Sequence, residues 1–151
     1  MTAQDIGQMR YFRACLQESF RLIPTVANMI RVLPKDTVIG GFNIPAGTLA
    51  TWSTSILGKD ANLFSDPDKY IPERWIENKS DIHPFAVRNF SHGPRMCIGK
   101  RFAELEIQIG VCKLIQNFRI EWAANYDIDP VTELVNVPDK PLNFRFVDLK
   151  Q

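Results

Sequence analysis

The first regular pattern along the chain is an apolar stripe near the N-terminus. Apolar side chains recur there at spacings of three and four residues: Met9, Phe12, Leu16, Phe20 and Ile23. These spacings match one face of an α-helix, so we predict a helix over residues 5–23 that Pro24 ends. Thr2 and Asp5 have the spacing of a capping box at its start. Glu18 and Arg21 lie on a different face, three residues apart, where their side chains can touch.

The helical period disappears between residues 29 and 54. This segment is rich in β-branched residues and is interrupted at Gly40-Gly41 and at Pro45-Ala46-Gly47. Such punctuation is typical of short strands and turns, so we predict a small sheet. Residues 54–81 show a short helical turn and then no stable period, which predicts a long irregular loop. Its large apolar side chains give it surface to pack, so we expect it to be ordered: Phe64, Tyr70, Ile71, Trp75 and Ile76.

The helical period returns over residues 98–118. Apolar positions cover most sides of this segment: Phe102, Leu105, Ile109, Val111, Cys112, Leu114, Ile115 and Phe118. Such a distribution predicts a largely buried helix. Two strand-like pieces follow, residues 133–137 and 142–149, and a Pro-Asp-Lys-Pro stretch separates them. We predict that they form a terminal hairpin, so the fold class is mainly α with small β-sheets, α+β.

Composition and charge restrict the class of protein. The 151 residues are 45% hydrophobic and 23% charged, which is ordinary for a globular protein, and we assign residues 1–151 to one domain. The net charge of +1 provides no strong field for nucleic acid, so no nucleic-acid partner is predicted. The three cysteines form no C-x-x-C pair, which argues against a disulfide framework or a four-thiolate zinc site. We interpret Cys15 and Cys112 as small buried apolar residues.

Cys97 differs from the other cysteines because of the sequence around it. It lies in "NFSHGPRMCIGKRFAELE", after Gly93 and Arg95 and just before the predicted last helix. The unpaired N–H groups and the dipole at a helix start favour a thiolate over a thiol. Gly93 permits a tight turn, Gly99 lets a flat ligand come close, and Arg95 can pair with a ligand carboxylate. We interpret Cys97 as a thiolate metal ligand.

A nucleophilic cysteine of the phosphatase type is the alternative chemistry for Cys97. That chemistry needs a run of loop amides and an arginine downstream of the sulfur. Here Ile98, Gly99 and a helix follow the cysteine, and Arg95 precedes it. The sequence therefore favours the metal ligand.

The pattern F-x-x-G-x-R-x-C-x-G, from Phe90 to Gly99, resembles the heme-binding loop of the cytochrome P-450 superfamily. In that family the cysteine thiolate is the axial iron ligand. Three further segments resemble family motifs in the family's order. They are "ESFR" for the E-x-x-R of helix K, "PERW" for the P-E-R-F segment, and "RLIPTVANMIR" for the stretch after helix K. The resemblance covers residues 10–122 and implies the C-terminal part of that fold, from helix K to the C-terminal hairpin.

The resemblance implies roles for individual residues. It implies a heme cofactor with these contacts: Cys97 on the iron, Arg95 and Arg31 on the propionates, and Phe90 and Gly99 beside the ring. It also implies a buried charge triad of Glu18, Arg21 and Arg74 that fixes the geometry around the cysteine loop. The residues alone leave simpler readings open, a solvated Glu18–Arg21 pair and an ordinary core aromatic at Phe90.

Within the family, "CIGKRFAELE" resembles the mitochondrial class. Lys100 and Arg101 stand where that class docks an acidic ferredoxin-type iron–sulfur partner, and Arg13 matches another docking position. Gln17 departs from the class, which usually has a lysine there, and Ser91-His92 departs because glycine more often follows the phenylalanine. The resemblance implies a mitochondrial location on the matrix side of the inner membrane. The endoplasmic reticulum membrane is the alternative, and peripheral membrane association would involve a part N-terminal to this chain.

The implied function is a heme-thiolate monooxygenase that hydroxylates a lipophilic, for example sterol-like, substrate with O₂ and ferredoxin electrons. By family position, residues 26–29 line the substrate pocket. The chain has no long helix carrying the acid–threonine pair that activates oxygen, so we expect a C-terminal fragment without turnover of its own. The alternatives are a non-enzymatic heme-binding module, an inactive truncated remnant, and a docking fragment that binds an electron carrier without heme.

Overall fold

The computed structural model describes residues 3–77 and 79–149. Its α-helices are α1 (Ala3–Gln8), α2 (Arg10–Leu22), α3 (Thr54–Gly58) and α4 (Lys100–Asn117). Short 3-10 helices cover Pro72–Trp75, Lys79–Asp81 and Gly93–Arg95. The strands in the described part form separate antiparallel pairs: β1 (Asn28–Val32) with β4 (Leu49–Ser53), β2 (Thr37–Ile39) with β3 (Phe42–Ile44), β5 (Phe118–Trp122) with β8 (Phe144–Asp148), and β6 (Pro130–Thr132) with β7 (Asn136–Pro138). The predicted α+β fold class is confirmed, although residues 29–54 form two small sheets rather than one.

The N-terminal helix is broken, where the sequence predicted one continuous helix. Met9 leaves the helical conformation, with ψ at 66°, and separates α1 from α2. The last carbonyls of α1 are bonded by side chains instead of by a further helical turn. Arg13 donates to the carbonyls of Ile6 and Gly7, and the Gln108 amide also donates to Ile6, at 3.0 Å. Because these side chains satisfy the carbonyls, α1 can end early. The predicted capping box involves Thr2, which lies outside the described residues.

The two C-terminal strand-like pieces do not pair with each other, so the predicted hairpin is wrong. The first piece contributes β7, which pairs with β6 across a tight turn. The second contributes β8, which pairs with β5, a strand directly after α4 that the helical pattern had hidden. Trp122 lies opposite Phe144 with ring centroids 5.3 Å apart, and Arg145 lies opposite Glu121 and forms an ion pair with it. These cross-strand pairs favour the observed partner.

Helix α4 has the predicted position but not the predicted burial. Among its described residues only Gln108 and Cys112 are buried, while Phe102 is 71% exposed. The buried strip is the one that meets the α1–α2 junction, where the Cys112 thiol lies 3.4 Å from the Met9 sulfur. The apolar period identified the helix but could not show which of its faces has a partner. In the described part of the chain, no helix is long and apolar enough to cross a membrane.

The most buried region lies where the C-terminal end of α2 meets α3 and the loop that follows. Gly58, the last residue of α3, is itself buried and packs against the backbone of Arg21. A β-carbon at Gly58 would overlap the carbonyl oxygen of Arg21. Glycine is therefore needed here for the close approach of two backbones.

We predict that Gly58→Ala destabilises the chain by about 1–3 kcal/mol, because the two backbones must move apart to admit the methyl group. Gly110→Ala is the matched control, since Gly110 lies in α4 with open space around it. The control should be neutral or up to about 1 kcal/mol stabilising. Urea unfolding of both variants measures the difference, and equal stability of the two would contradict the packing argument.

Candidate metal centre and its supporting charge cluster

The Glu18 carboxylate is fully buried and accepts five hydrogen bonds. Arg21 forms a two-point contact with it, Nη2 to Oε1 at 2.8 Å and Nε to Oε2 at 2.9 Å. Arg74 Nε donates to Oε1 at 3.2 Å. The Ile71 amide donates to Oε1 and the Trp75 indole to Oε2, both at 2.9 Å. The simpler alternative of a solvated Glu18–Arg21 pair is therefore excluded, and the structure brings Glu18, Arg21 and Arg74 together in one buried cluster.

The two arginines bind the loop that follows α3 through their remaining donors. Their acceptors are backbone carbonyls, from Gly58, Pro67 and Lys69 for Arg21 and from Ser65 and Asp66 for Arg74. Both guanidinium groups also lie over the ring of Phe64, at 5.1 and 5.8 Å from its centroid. Phe64 is only 2% exposed, so the long loop is ordered in this region, as predicted. The carbonyls and the ring help to solvate a buried excess of positive charge.

Opposing effects act on the pKa of Glu18. Burial raises it, because the charged form loses its water. The hydrogen bonds from Arg21, the Ile71 amide and Trp75 act in the other direction and outweigh burial, which lowers the pKa to about 2. Glu18 is therefore ionised in the folded chain across the neutral and mildly acidic range.

Cys97 lies in an exposed loop that leads into α4. Its amide donates to the Phe90 carbonyl at 2.9 Å, which closes the loop. Gly93 makes the turn with φ at +75°, a conformation that favours glycine. A β-carbon on Gly99, the residue before α4, would lie 3.8 Å from the Cys97 sulfur, so the absence of a side chain keeps this side of the sulfur open. The loop thus presents the thiol beside the N-terminal end of an 18-residue helix.

The two predicted heme-binding arginines, Arg31 and Arg95, occupy different environments. Arg31, in β1, donates from Nη2 to the Ser91 hydroxyl at 3.4 Å, which places it beside the cysteine loop. Its guanidinium also lies 5.8 Å from the centroid of the Trp52 ring. Arg95 is exposed, and no hydrogen bond or ion pair to another described residue restrains its side chain. Both cations are thus without a carboxylate partner in the described residues and can accept one from a ligand.

The surface around Cys97 is apolar and exposed. Ile98 is fully exposed, and Phe102 and Met96 are 71% and 49% exposed. Among the described residues there is no group of three or more His, Cys, Asp or Glu that could hold a metal ion alone. A metal at Cys97 would therefore need its other ligands from a carrier. A flat apolar macrocycle with carboxylate arms fits this surface, because exposed apolar residues flank Cys97 in the chain and arginines without a carboxylate partner lie in the same loop and beside it.

Phe90 connects the cysteine loop to α2. Its ring packs edge-on against Phe20 with centroids 5.4 Å apart. Lys100 Nζ lies 5.9 Å from the centroid of the Phe90 ring. Phe20 and Phe90 line a small cavity of about 70 Å³ together with Trp75, which binds Glu18. Helix α2 therefore touches the charge cluster with one face and the cysteine loop with another.

The three predicted docking residues differ in the hydrogen bonds and ion pairs that their side chains form. Arg13 and Lys100 line one cavity of about 260 Å³, together with Gln17. Arg13 already donates to the end of α1, and Lys100 lies 3.9 Å from Glu104 in a weak ion pair. Arg101 is exposed and has no charged or hydrogen-bonding partner among the described residues. The structure thus places Arg13 and Lys100 at one cavity, and Arg101 is the docking residue whose side chain has the fewest hydrogen bonds and ion pairs within the described residues.

Sequence reasoning missed several residues that build these sites. Trp75 gives Glu18 an indole donor, Phe64 lies under both guanidinium groups, and Gly58 supplies a carbonyl and a close approach. The tryptophan of "PERW" was a usable signal, because a buried indole N–H needs an acceptor. All three cysteines are free; Cys112 is buried as predicted, and Cys15 is only partly so.

Comparison with known proteins agrees with this geometry. Residues 1–146 match the cytochrome P-450 family. A mitochondrial 1,25-dihydroxyvitamin D(3) 24-hydroxylase of Mus musculus is 42% identical over 147 residues, which cover 95% of this chain and 28% of that protein. A probable mitochondrial cytochrome P-450 (12a5) of Drosophila melanogaster is 35% identical over 160 residues, 98% of this chain and 30% of that protein. The solved structure of a retinoic acid-bound cyanobacterial relative, CYP120A1, aligns with a TM-score of 0.89 and 34% identity, over 99% of this chain and 35% of that one.

The chain belongs to the cytochrome P-450 family, and its fold is that of the matching part of a solved family member. The mitochondrial relatives confirm the predicted resemblance to the mitochondrial class. The chain spans less than a third of the length of these curated relatives, 28% and 30%.

The depressed pKa of Glu18 predicts acid-sensitive stability. Its pKa is about 2 in the folded chain and near 4.5 in the unfolded chain. The carboxylate therefore contributes its stabilisation fully above about pH 5 and loses it as the pH falls toward about 2. We expect a loss on the order of 3 kcal/mol over that range from this group alone. Urea unfolding at a series of pH values measures it, and stability that stays constant between pH 5 and pH 2.5 would contradict the assignment.

Trp75→Phe separates the contribution of the indole donor from the rest of this effect. Without that hydrogen bond the pKa of Glu18 should rise toward its unfolded value, so the acid loss should still begin near pH 5 but be smaller and end at a higher pH. Stability near neutral pH should fall by about 1–3 kcal/mol. Trp122→Phe is the control, because Trp122 is 43% exposed in β5, far along the chain from Glu18. An identical acid profile in both variants would show that the indole does not act on Glu18.

Proposed function

We propose that this chain is the heme-ligating part of a monooxygenase, with Cys97 as the thiolate ligand of the heme iron. The observation that carries the proposal is the position of Cys97. It lies exposed just before α4, in a loop closed by its own amide, and exposed apolar residues flank it in the chain. When bound, a thiolate-ligated heme supplies the chemistry that cleaves O₂ and inserts one oxygen atom into a C–H bond.

The residues of this chain hold the cofactor in three ways. Cys97 supplies the sulfur that binds iron, from its position just before the start of α4. Arg95 and Arg31 pair with the propionate carboxylates, as charge-assisted contacts that set the orientation of the ring. Ile98 and Phe102 cover apolar ring surface that water would otherwise contact.

Phe90 and the Glu18 cluster position the cysteine loop. Phe90 joins the loop to Phe20 of α2, and Glu18 of the same helix fixes Arg74 and the segment around it. A rigid support of this kind keeps the sulfur in a constant position during binding and release of the substrate and the partner. Gly99 leaves room beside the sulfur for the cofactor.

For the substrate we propose a lipophilic molecule, with the sterol class as the first candidate. The mouse relative is named for a vitamin D derivative and the cyanobacterial structure holds retinoic acid. Residues 26–29 and the β6–β7 turn contribute to the substrate pocket. The residues next to these two segments are joined, because Asn136 donates from its backbone amide to the Thr25 carbonyl at 2.8 Å and from its side chain to the Pro24 carbonyl at 2.6 Å. Leu134, at the tip of the turn, is 93% exposed and is available for apolar contact.

For the electron donor we propose an acidic ferredoxin-type iron–sulfur protein. Arg101, Lys100 and Arg13 supply positive charge on or beside the helix that follows the cysteine loop. The location that goes with this partner is the mitochondrion, on the matrix side of the inner membrane. The endoplasmic reticulum is the alternative location.

A non-enzymatic heme-binding module is the second candidate. It is favoured by one observation: all the proposed heme contacts, from Arg31 to Phe102, lie within the described part of this chain. Heme titration distinguishes the two candidates. A shifted Soret band that forms only when the chain is joined to the N-terminal portion of a family member supports the enzyme part. Stable uptake by the chain alone supports the module.

Cys97→Ser tests the ligand directly. We expect the reduced, carbon monoxide-bound protein to lose the shifted Soret band that is typical of thiolate ligation, because a serine hydroxyl is not ionised at neutral pH. Heme affinity should fall at least about tenfold. Cys15→Ser is the control, since Cys15 lies in α2 and should leave the spectrum unchanged. An unaltered spectrum in Cys97→Ser would overturn the proposed function.

Arg101→Gln tests the docking of the electron donor. We expect weaker binding of a ferredoxin-type protein, by about threefold to tenfold at low salt, and a smaller dependence of affinity on salt. Lys35→Gln removes the same charge from the exposed β1–β2 turn and should have no effect. Titration by calorimetry at two salt concentrations measures both. Equal losses in the two variants would mean that only net charge matters.

A further inference from the structure

Ser91 has a backbone conformation that serine rarely adopts. Its φ is +63°, in the left-handed region, and among the described residues only Asp66 shares a positive φ without being glycine. Its amide donates to the Arg88 carbonyl at 2.9 Å, so the conformation belongs to a hydrogen-bonded turn. Glycine would adopt this turn without strain, whereas a β-carbon is disfavoured there. Compared with a glycine at this position, Ser91 therefore adds a hydroxyl group that can form a hydrogen bond.

That hydroxyl is the contact between Arg31 and the cysteine loop. Arg31 Nη2 donates to Ser91 Oγ at 3.4 Å across 60 positions of sequence. The other contacts of Arg31 lie in its own sheet, the Ile30 carbonyl at 2.7 Å and the ring of Trp52. Within the described residues, Ser91 thus supplies the hydrogen bond that fixes the guanidinium relative to Cys97.

Arg31 retains donors for a ligand after these contacts. A guanidinium has five N–H groups. Ile30 uses one on Nη1 and Ser91 uses one on Nη2, so three remain. No carboxylate of the described residues pairs with Arg31, and its charge is available for an anionic group. Three donors and an uncompensated charge suit a two-point contact with a carboxylate.

We propose that Ser91 is a positioning residue for the carboxylate-binding arginine Arg31, and that the strained serine is retained in the turn to hold this guanidinium beside the cysteine loop. The inference rests on the proposed function, because the carboxylate concerned is a heme propionate. Ser91 acts through Arg31 and contacts no cofactor atom itself.

Two substitutions separate the hydroxyl from the strain. Ser91→Ala removes the hydroxyl and keeps the β-carbon, whereas Ser91→Gly removes both. We expect both variants to bind heme about threefold to tenfold more weakly than the wild type, because both release Arg31. Ser91→Gly should melt at a higher temperature than Ser91→Ala, since only glycine relieves the strain. The titrations use the form of the protein, the chain alone or joined to the N-terminal portion of a family member, that gives the shifted Soret band.

Heme dimethyl ester provides a readout that a general structural defect would not reproduce. Its blocked propionates cannot pair with Arg31, so the Ser91 variants and the wild type should bind it equally. In an Arg31→Ala background, Ser91→Ala should cause no further loss of heme affinity. Unchanged heme affinity in Ser91→Ala, or an equal loss for heme and its ester, would overturn this inference while the thiolate band remains. Failure of the wild type to form that band in either form would overturn the proposed function and this inference with it.

Discussion

The buried carboxylate of Glu18 is the interaction on which the rest of the structure depends. It accepts hydrogen bonds from α2, from the last two residues of the Pro72–Trp75 helix and from Ile71, the residue before that helix. One side chain therefore joins segments more than 50 residues apart. The two arginines extend the same network to carbonyls of residues 58–69. Buried ion pairs add little net stability, because desolvation offsets their attraction, so the role we assign to this cluster is to fix geometry.

The geometry fixed by Glu18 reaches the cysteine loop through α2. Phe20 is two residues further along the helix and packs against Phe90, whose carbonyl accepts the hydrogen bond of the Cys97 amide. The charge cluster and the sulfur are thus connected by one helix and one aromatic contact. In this account, polar residues supply the rigid part of the fold, while much of the apolar surface, on α4 above all, remains exposed and available for a cofactor or another part of the protein.

Sequence patterns predicted the helices, the ordered loop and the buried charge cluster better than they predicted the other contacts of the fold. The period of α4 located the helix but not its covered face, because periodicity contains no information about what packs against a face. The pairing of β8 with β5 was missed because strand Phe118–Trp122 continues directly from an apolar helix. Trp75 and Ser91 were visible only as departures from a motif, and their roles became evident when the structure placed an acceptor beside the indole and a guanidinium beside the hydroxyl.

Amide hydrogen exchange in the Glu18→Gln variant tests the coupling between the charge cluster and the cysteine loop most directly. The account predicts faster exchange at the Ile71 amide, which loses its carboxylate acceptor, and also at the Cys97 amide, which Glu18 never touches. Protection in the β5–β8 pair should remain at its wild-type level. Faster exchange at Ile71 with an unchanged Cys97 amide would contradict the coupling, and so would equal acceleration throughout the chain.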